Sequence, residues 1–463
     1  MIKKSTVTFD TALPQFAQVL FNGMGLDFIE SGVFLRDVSG KLTFIISEEA
    51  WSESVDVASE EVARLIPNYV DGPKYAISTP DRLFDEALRA RDGATQVELD
   101  FGAPGDRNKV WLIERRAAGQ DWLKKPVNKA GSVPIIVFAS IKGGVGRTTA
   151  LCVLASHLAS TGRRVLALDM DFEAPGLGTM LLTPDTTPKY GLLDYIVETA
   201  IGQVDTSFVV DTVGPSWLAA GRGRIDVVPV VGTASMTSPE NVLSKIARAY
   251  LASSEQLGSG LSETISNFIE VHSLDSRYDV ILVDARAGLH ETTASAILGL
   301  GGEIFVFGVN QPQTLLGYDF LFSHVAARTP KDDEFWGRVN FVEAKSAGAE
   351  VNVTFKNAVE LLLKQRLFGL KDSSSGEDLE AMGEGFEVDW ADEQDAVSNV
   401  ADEEASDFVD GLSFVSIPES ELYRSFDPLL NPDLLQLSTH MQLYGPFVGE
   451  VERVLENYGP REI

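Results

Sequence analysis

The chain is poor in the groups that would tie it to an oxidising compartment, a metal cluster, a membrane or a polyanion. Its 463 residues include a single cysteine, Cys152. No internal disulfide can form, which suits a reducing cytoplasm. One thiol is also too few to hold an iron–sulfur cluster, even one bridging a dimer. The five histidines are scattered, with no metal-ligand spacing. No apolar run reaches the roughly 18 residues that a membrane-spanning helix needs. The opening stretch, MIKKSTVTFDTALPQF, has lysines but no apolar core, so no secretory leader is expected. Basic residues are outnumbered, 38 Lys and Arg against 68 Asp and Glu, for a formal net charge of −30. That balance opposes the counterion release behind unspecific nucleic-acid binding, and it opposes a polybasic membrane anchor. The expectation is a cytoplasmic protein with neither nucleic acid nor membrane as partner.

What the chain does have is apolar residue, 44% of the total, and a length that predicts two or three domains. Residues 1–126 read as a small α+β domain. Alternation around Ser39-Gly40 predicts a hairpin over 32–46. Helical periodicity predicts helices over 57–70 and 81–93, and further strands follow at 96–101 and 109–116. Nothing there carries recognisable chemistry, so recognition of a protein partner is its expected role. Residues 119–132 read as a linker, and 133–463 as a second domain.

The densest signal is VPIIVFASIKGGVGRTT, residues 133–149. The β-branched run before the loop predicts a buried parallel strand. Gly143, Gly144, Val145 and Gly146 form a loop, and Arg147, Thr148 and Thr149 open a helix. Strand, glycine loop and helix together make a phosphate-binding loop credible: backbone N–H groups point inward and the helix N-terminus favours negative charge. The Thr148 hydroxyl stands where it can reach Mg²⁺. Two later strands close on carboxylates. The first, 165–168, ends on Asp169 and Asp171. The second, 280–283, ends on Asp284, with Gly288 just beyond. In a doubly wound sheet the C-terminal strand ends line the ligand crevice, and phosphate-bound Mg²⁺ takes only one or two carboxylates. Strands at 225–230, 303–309, 338–344 and 412–417 complete a set of seven. Helices are expected over 239–251, 260–272 and 448–458.

KGGVGRTT, DMDFEAPG and DARAG, in that order, resemble the deviant Walker A P-loop ATPases of the ParA/MinD kind, over about residues 133–345 and 411–430. The resemblance implies an α/β fold: a doubly wound, mostly parallel seven-stranded-type sheet, here with the N-terminal α+β domain added. It implies ATP and Mg²⁺ as cofactors and a nucleotide-sandwich homodimer. Lys142 is then the early lysine that reaches the nucleotide of the other subunit, and Asp171 orients the attacking water; these are the expected catalytic residues. The backbone and side chains from Gly143 to Thr149 hold the phosphates. The Gly288 N–H senses the γ-phosphate, and Pro418, after the last strand, touches the base, with Lys345 a further base candidate. Thr148, Asp169 and Asp284 support the metal.

Two positions depart from the pattern. Arg147 replaces the usual lysine; it keeps the charge and can fork phosphate oxygens, but is bulkier. Arg286 stands where relatives often have proline. It reads as an internal arginine finger or, preferably, as the partner of a switch carboxylate. Residues 372–410 hold 15 Asp and Glu and no Lys or Arg, half of the net charge, and self-repulsion predicts an extended or disordered insertion. The last helix is acidic, unlike a membrane-binding helix.

The expected function is an ATP-dependent dimerisation switch that hydrolyses ATP slowly to control an unidentified protein partner, in a bacterial regulatory or defence-linked setting. An ATP-binding scaffold or sensor with little hydrolysis is the alternative. A DNA or plasmid partitioning ATPase is a second, disfavoured by the charge.

Overall fold

The computed structural model describes residues 7–91, 93–103, 105–116, 118–128, 131, 133–202, 204–219, 222–255, 260–370 and 403–458. The chain divides into two compact units, Met1–Ala117 and Ala118–Ile463. The acidic stretch falls outside the described residues as far as 402, and residues 403–410 are helical.

The first unit sets the helices Phe9–Met24 and Glu53–Leu65 with a five-stranded sheet. Its strands are β1 (Val33–Arg36), β2 (Leu42–Ile45), β3 (Ile77–Ser78), β4 (Thr95–Asp100) and β5 (Arg107–Glu114), in the order β3-β2-β1-β5-β4. The expected hairpin is β1–β2, with Phe34 opposite Phe44. Asp37 Oδ1 accepts from the Ser39 and Lys41 N–H groups, and Gly40 takes φ 87° at the turn. Phe16, Phe34 and Phe44 meet in the core at ring separations of 5.3 and 4.7 Å. Two features differ from expectation. The helix Phe9–Met24 was hidden by Pro14 inside it. The helix expected over 81–93 breaks into Pro80–Leu83 and a 3-10 turn, Glu86–Arg89, because Phe84 turns left-handed at φ 55°.

The second unit is built on eight strands: β6 (Ile135–Ser140), β7 (Arg164–Asp169), β8 (Gly214–Ser216), β9 (Arg224–Val228), β10 (Val280–Ala287), β11 (Glu303–Gly308), β12 (Val339–Ser346) and β13 (Ser413–Pro418). Their order is β13-β12-β11-β6-β10-β7-β9-β8. The seven anticipated strands are parallel, and β8 adds a short antiparallel edge. Central strands are buried on both faces, which is why they read as unbroken apolar runs. Alternate side chains feed two cores. Val137, Ile281 and Val283 join one, with helices Leu261–Ser273, Glu291–Gly299 and Pro312–Ala326. Ile136, Phe138 and Leu282 join the other, with helices Arg147–Ser160 and Leu437–Glu456. That last helix begins well before residue 448; Gly445-Pro446 lies within it and disguised its first turns. No helix among the described residues is long and apolar enough to cross a membrane.

The stretch expected to be a linker begins as part of this unit, so the division falls at Ala117 rather than after residue 126. Asp121, 1% exposed, is the reason. Its carboxylate accepts from Ser262 N (2.8 Å), Ser262 Oγ (2.9 Å) and Ser295 Oγ (2.5 Å), and pairs with Lys124 at 2.9 Å. A buried carboxylate must be satisfied in this way or not be charged.

His272, on the helix Leu261–Ser273, is 1% exposed, and neither ring nitrogen has a hydrogen-bond partner. Burial, helped by Arg277, lowers its pKa from 6.5 to about 4. A depressed folded value means stability that is full above about 6.5 and is lost as pH falls towards 4. We predict that His272→Leu flattens this loss in urea titrations from pH 7 to 4, by up to about 3 kcal/mol. An unchanged pH slope in the variant would sink the assignment.

Candidate nucleotide site

β6 delivers the chain to the glycine loop, and the helix Arg147–Ser160 leaves it from Gly146 at φ 92°. Gly144 is also left-handed, at φ 72°; a side chain at either would strain the loop. A cavity of about 340 Å³ opens here. Its walls are Gly144 to Thr149 on one side and Lys345, Pro418 and Tyr423 on the other, with Met180 between. The loop and the two positions expected near a base are thus brought to one cavity. Arg424 and Tyr444 also line it, and the sequence had singled out neither as a site residue.

The carboxylates sit behind the loop. β7 and β10 are adjacent, with Asp169 directly opposite Asp284 in the register. Both are buried, at 0% and 1% exposure. Burial raises both pKa values, and for Asp169 the Asp284 charge raises it further; Arg147 and Thr148 oppose the rise at Asp284. The two carboxylates are satisfied differently. Asp169 Oδ1 accepts from Asp171 N (3.1 Å), and its Oδ2 accepts from Gly176 N (3.2 Å) and Leu177 N (3.0 Å). It therefore anchors the segment that follows β7, and its oxygens are already engaged. Asp284 Oδ2 accepts from Thr148 Oγ1 at 2.5 Å, while its Oδ1 is buried with no hydrogen-bond partner. An orphaned carboxylate oxygen beside a loop hydroxyl is costly. A hydrated divalent cation is the group that would satisfy it, so the residues present fit Mg²⁺.

Three residues of the expected site make contacts within the chain that the sequence did not announce. Arg147 is 7% exposed; its guanidinium donates to the Ala285 carbonyl and lies 3.8 Å from Asp171, under the loop rather than solely in the cavity it lines. The Gly288 N–H donates to the Ser140 carbonyl at 2.8 Å instead of facing a phosphate, because β10 continues past Asp284 and pairs Ala287 with Ser140. Lys142 Nζ donates to Gln311 Oε1 at 2.9 Å, a partner that no spacing in the sequence announced.

Asp171 lies between two guanidiniums. Arg286 Nη1 donates to Asp171 Oδ1 (3.2 Å) and to Glu173 Oε2 (2.5 Å). Glu173 also accepts from the Tyr250 hydroxyl at 2.7 Å and pairs with His290 at 3.3 Å. Burial is the larger influence on Asp171 and raises its pKa, against the pull of Arg147 and Arg286. Burial lowers that of His290 and raises that of Tyr250. Arg286, near the end of β10, therefore clasps the segment after β7 through charge. Cys152 is fully buried on the loop helix, and burial raises its pKa, with Asp284 and Asp169 adding to the rise, so it is inert.

Residues 136–328 match the model of the CobQ/CobB/MinD/ParA nucleotide binding domain, and the strand, glycine loop and helix that begin this stretch are those of a P-loop. Among characterised proteins, the chain is 26% identical over 238 residues to an iron–sulfur cluster carrier protein of Synechocystis sp., covering 42% of this chain and 64% of that protein. It is 30% identical over 174 residues to the antiactivator FleN of Pseudomonas aeruginosa, covering 37% of this chain and 50% of that protein. The match thus spans about half to two thirds of the length of these relatives. Similar solved structures include a ParA family ATPase from Chlorobium tepidum (17% identity, TM-score 0.40, covering 69% of this chain and 98% of that one). The septum site-determining protein MinD of Pyrococcus horikoshii, complexed with Mg-ADP, is comparable (17%, TM-score 0.40, 71% and 99%).

Arg286 ties β10 to the segment after β7, so Arg286→Ala should raise backbone hydrogen exchange over residues 171–177 by about ten-fold, which is about 1.4 kcal/mol of local opening. Exchange there that matches the wild type would show that the clasp holds nothing.

Proposed function

We propose that this protein is an ATP-dependent dimerisation switch, hydrolysing ATP slowly to control the binding of a partner protein. The observation that carries the reading is the 2.5 Å contact between Thr148 and Asp284 behind the glycine loop, with one Asp284 oxygen left unpartnered. ATP takes the cavity with its phosphates on the N–H groups of 143–149 and its base towards Pro418 and Lys345. Bound Mg²⁺ supplies charge neutralisation of the phosphates. Thr148 and Asp284 hold the metal, the second through water; Asp169 positions the segment that carries Asp171.

Lys142 is tied only loosely, by one hydrogen bond to Gln311, and reaching the nucleotide of a second copy costs it that bond. Asp171 orients the attacking water once its arginines turn to the phosphates, and Gly288 exchanges the Ser140 carbonyl for the γ-phosphate. Each of these moves begins from a contact between charged or backbone groups that phosphate oxygens can replace with stronger ones. The switch therefore has a defined resting form and a defined competitor for it. The cluster carriage named for the Synechocystis relative is not proposed for this chain, whose lone thiol is buried and its pKa raised by burial.

A second reading, a nucleotide-binding scaffold with little hydrolysis, is favoured by Arg147. Its guanidinium is engaged by Ala285 and Asp171, which withholds both the arginine and the carboxylate from chemistry. If that restraint limits turnover, Arg147→Lys should release phosphate several-fold faster. A variant no faster than the wild type would leave slow turnover with another cause.

The primary test is molar mass by light scattering without nucleotide, with ADP·Mg²⁺ and with ATP·Mg²⁺, for the wild type and Lys142→Ala. Doubling with ATP only, lost in the variant, is expected. A mass indifferent to nucleotide in both removes the switch.

A further inference from the structure

Behind the segment that follows β7 lies a second cavity, of about 420 Å³. It is lined chiefly by Pro175, Leu182, Pro184, Pro229, Val231 and Leu429. Two of its three threonines, the third being Thr233, are spent locally: Thr179 Oγ1 donates to the Gly176 carbonyl (2.8 Å) and Thr187 Oγ1 to that of Thr183 (2.9 Å). Their hydroxyls are thus bonded within their own turns. Asp169 reaches its back, but both carboxylate oxygens are already held by backbone N–H groups. Among the described residues, its lining contains no Lys, Arg or His.

This cavity shares two walls with the nucleotide cavity. The short helix Leu177–Leu181 turns Met180 to the nucleotide side and Gly178 and Thr179 to the other. The stretch 419–430 gives Tyr423 and Arg424 to the first cavity and Leu429 to the second. The helix sits hard against the end of β9: a Cβ on Gly178 would lie 2.8 Å from Pro229 Cβ. It cannot move towards the phosphates without changing the second cavity. Its N-terminus is held by the same Asp169 that faces Asp284.

The geometry points to a second ligand site, for a small, uncharged, largely apolar molecule of ring size, coupled to the nucleotide through the helix Leu177–Leu181. The volume lies within the range of small-ligand pockets, about 300–1,000 Å³, and an apolar lining of this kind rewards burial of apolar surface. An anion would meet Asp169 with no cation to offset it; a cation would find that carboxylate already hydrogen-bonded. Coupling is reciprocal by necessity: a molecule that favours one helix position changes nucleotide affinity by the factor that nucleotide changes its own.

Only the coupling rests on the nucleotide reading above; the cavity does not. The test uses indole as the probe, in equilibrium dialysis with the full chain, and a fluorescent ADP·Mg²⁺ titration with and without it. Met236, at the rim and 53% exposed, can be changed without touching a core. Saturable binding of one indole per chain is expected, weakened at least about ten-fold by Met236→Glu and by Leu429→Glu, with ADP affinity shifted at least about five-fold at saturation. Linear uptake without saturation, or saturable binding that both variants leave unchanged, overturns the site. Site-specific binding with ADP affinity unmoved overturns the coupling. Nucleotide bound while indole is refused defeats this inference alone; indole bound by a chain that takes no nucleotide defeats the function proposed above and the coupling with it.

Discussion

The second unit depends on a conflict between charge and burial at two neighbouring strand ends. Parallel strands packed on both faces leave their C-terminal ends as the place where polar groups converge. Here β7 and β10 end side by side on Asp169 and Asp284, both almost without solvent. Two buried carboxylates in register repel each other and lack water, so each must find donors or take up a proton. The chain resolves this asymmetrically. Asp169 is satisfied by three backbone N–H groups, and in being satisfied it shapes residues 171–177. Asp284 is satisfied on one oxygen only, by Thr148 at the start of the loop helix. One carboxylate builds structure and the other keeps one oxygen without a hydrogen-bond partner.

The arginines follow from the same conflict. Arg147 and Arg286 bring positive charge to the carboxylates that the strand ends gather. In this form the charges are internally paired: Arg147 with Asp171 and a carbonyl, Arg286 with Asp171 and Glu173. A lysine at position 147 would be a single flexible point charge; arginine offers several donors in a plane and can serve a carbonyl and a carboxylate together. The arginine thus has a structural use, in a site whose charged groups neutralise one another. Tyr250 and His290 extend the pairing to the helices Val242–Glu255 and Glu291–Gly299.

The two cavities extend the same logic outward. A five-residue helix held at its N-terminus by Asp169 and seated on Pro229 stands between a polar cavity and an apolar one. Leu177 and Leu181 seat it in the core, and its other residues reach the cavities on either side. The first unit, with its own aromatic core around Phe34, is a separate compact body, and its sheet carries a hairpin that the sequence announces by alternation and a helix that proline conceals.

Much of this was legible in the sequence, wherever the physics is local. Strand, glycine loop and helix are fixed by short-range geometry: β-branched residues in a double-sided sheet, glycines at φ above zero, and an uninterrupted helix after them. The apolar runs that end on Asp169, Asp171 and Asp284 likewise identify buried strands and their ligand-facing ends, and so the sheet and the nucleotide loop. Local signals failed where a single residue interrupts a pattern that tertiary contacts then restore, as at Pro14 and Gly445-Pro446, or where one left-handed residue, Phe84, ends a helix that periodicity would continue. Long-range choices were decided only in the tertiary structure. Which carboxylate is satisfied by backbone and which is left unpartnered, that Arg147 turns under the loop, that Lys142 meets Gln311 and Glu173 meets Tyr250, and that Asp121 seals the supposed linker into the second unit all join residues far apart in the chain. Hydrogen bonds and ion pairs in a dry interior depend on distances of a few tenths of an ångström, and only the packing of the helices and strands sets those.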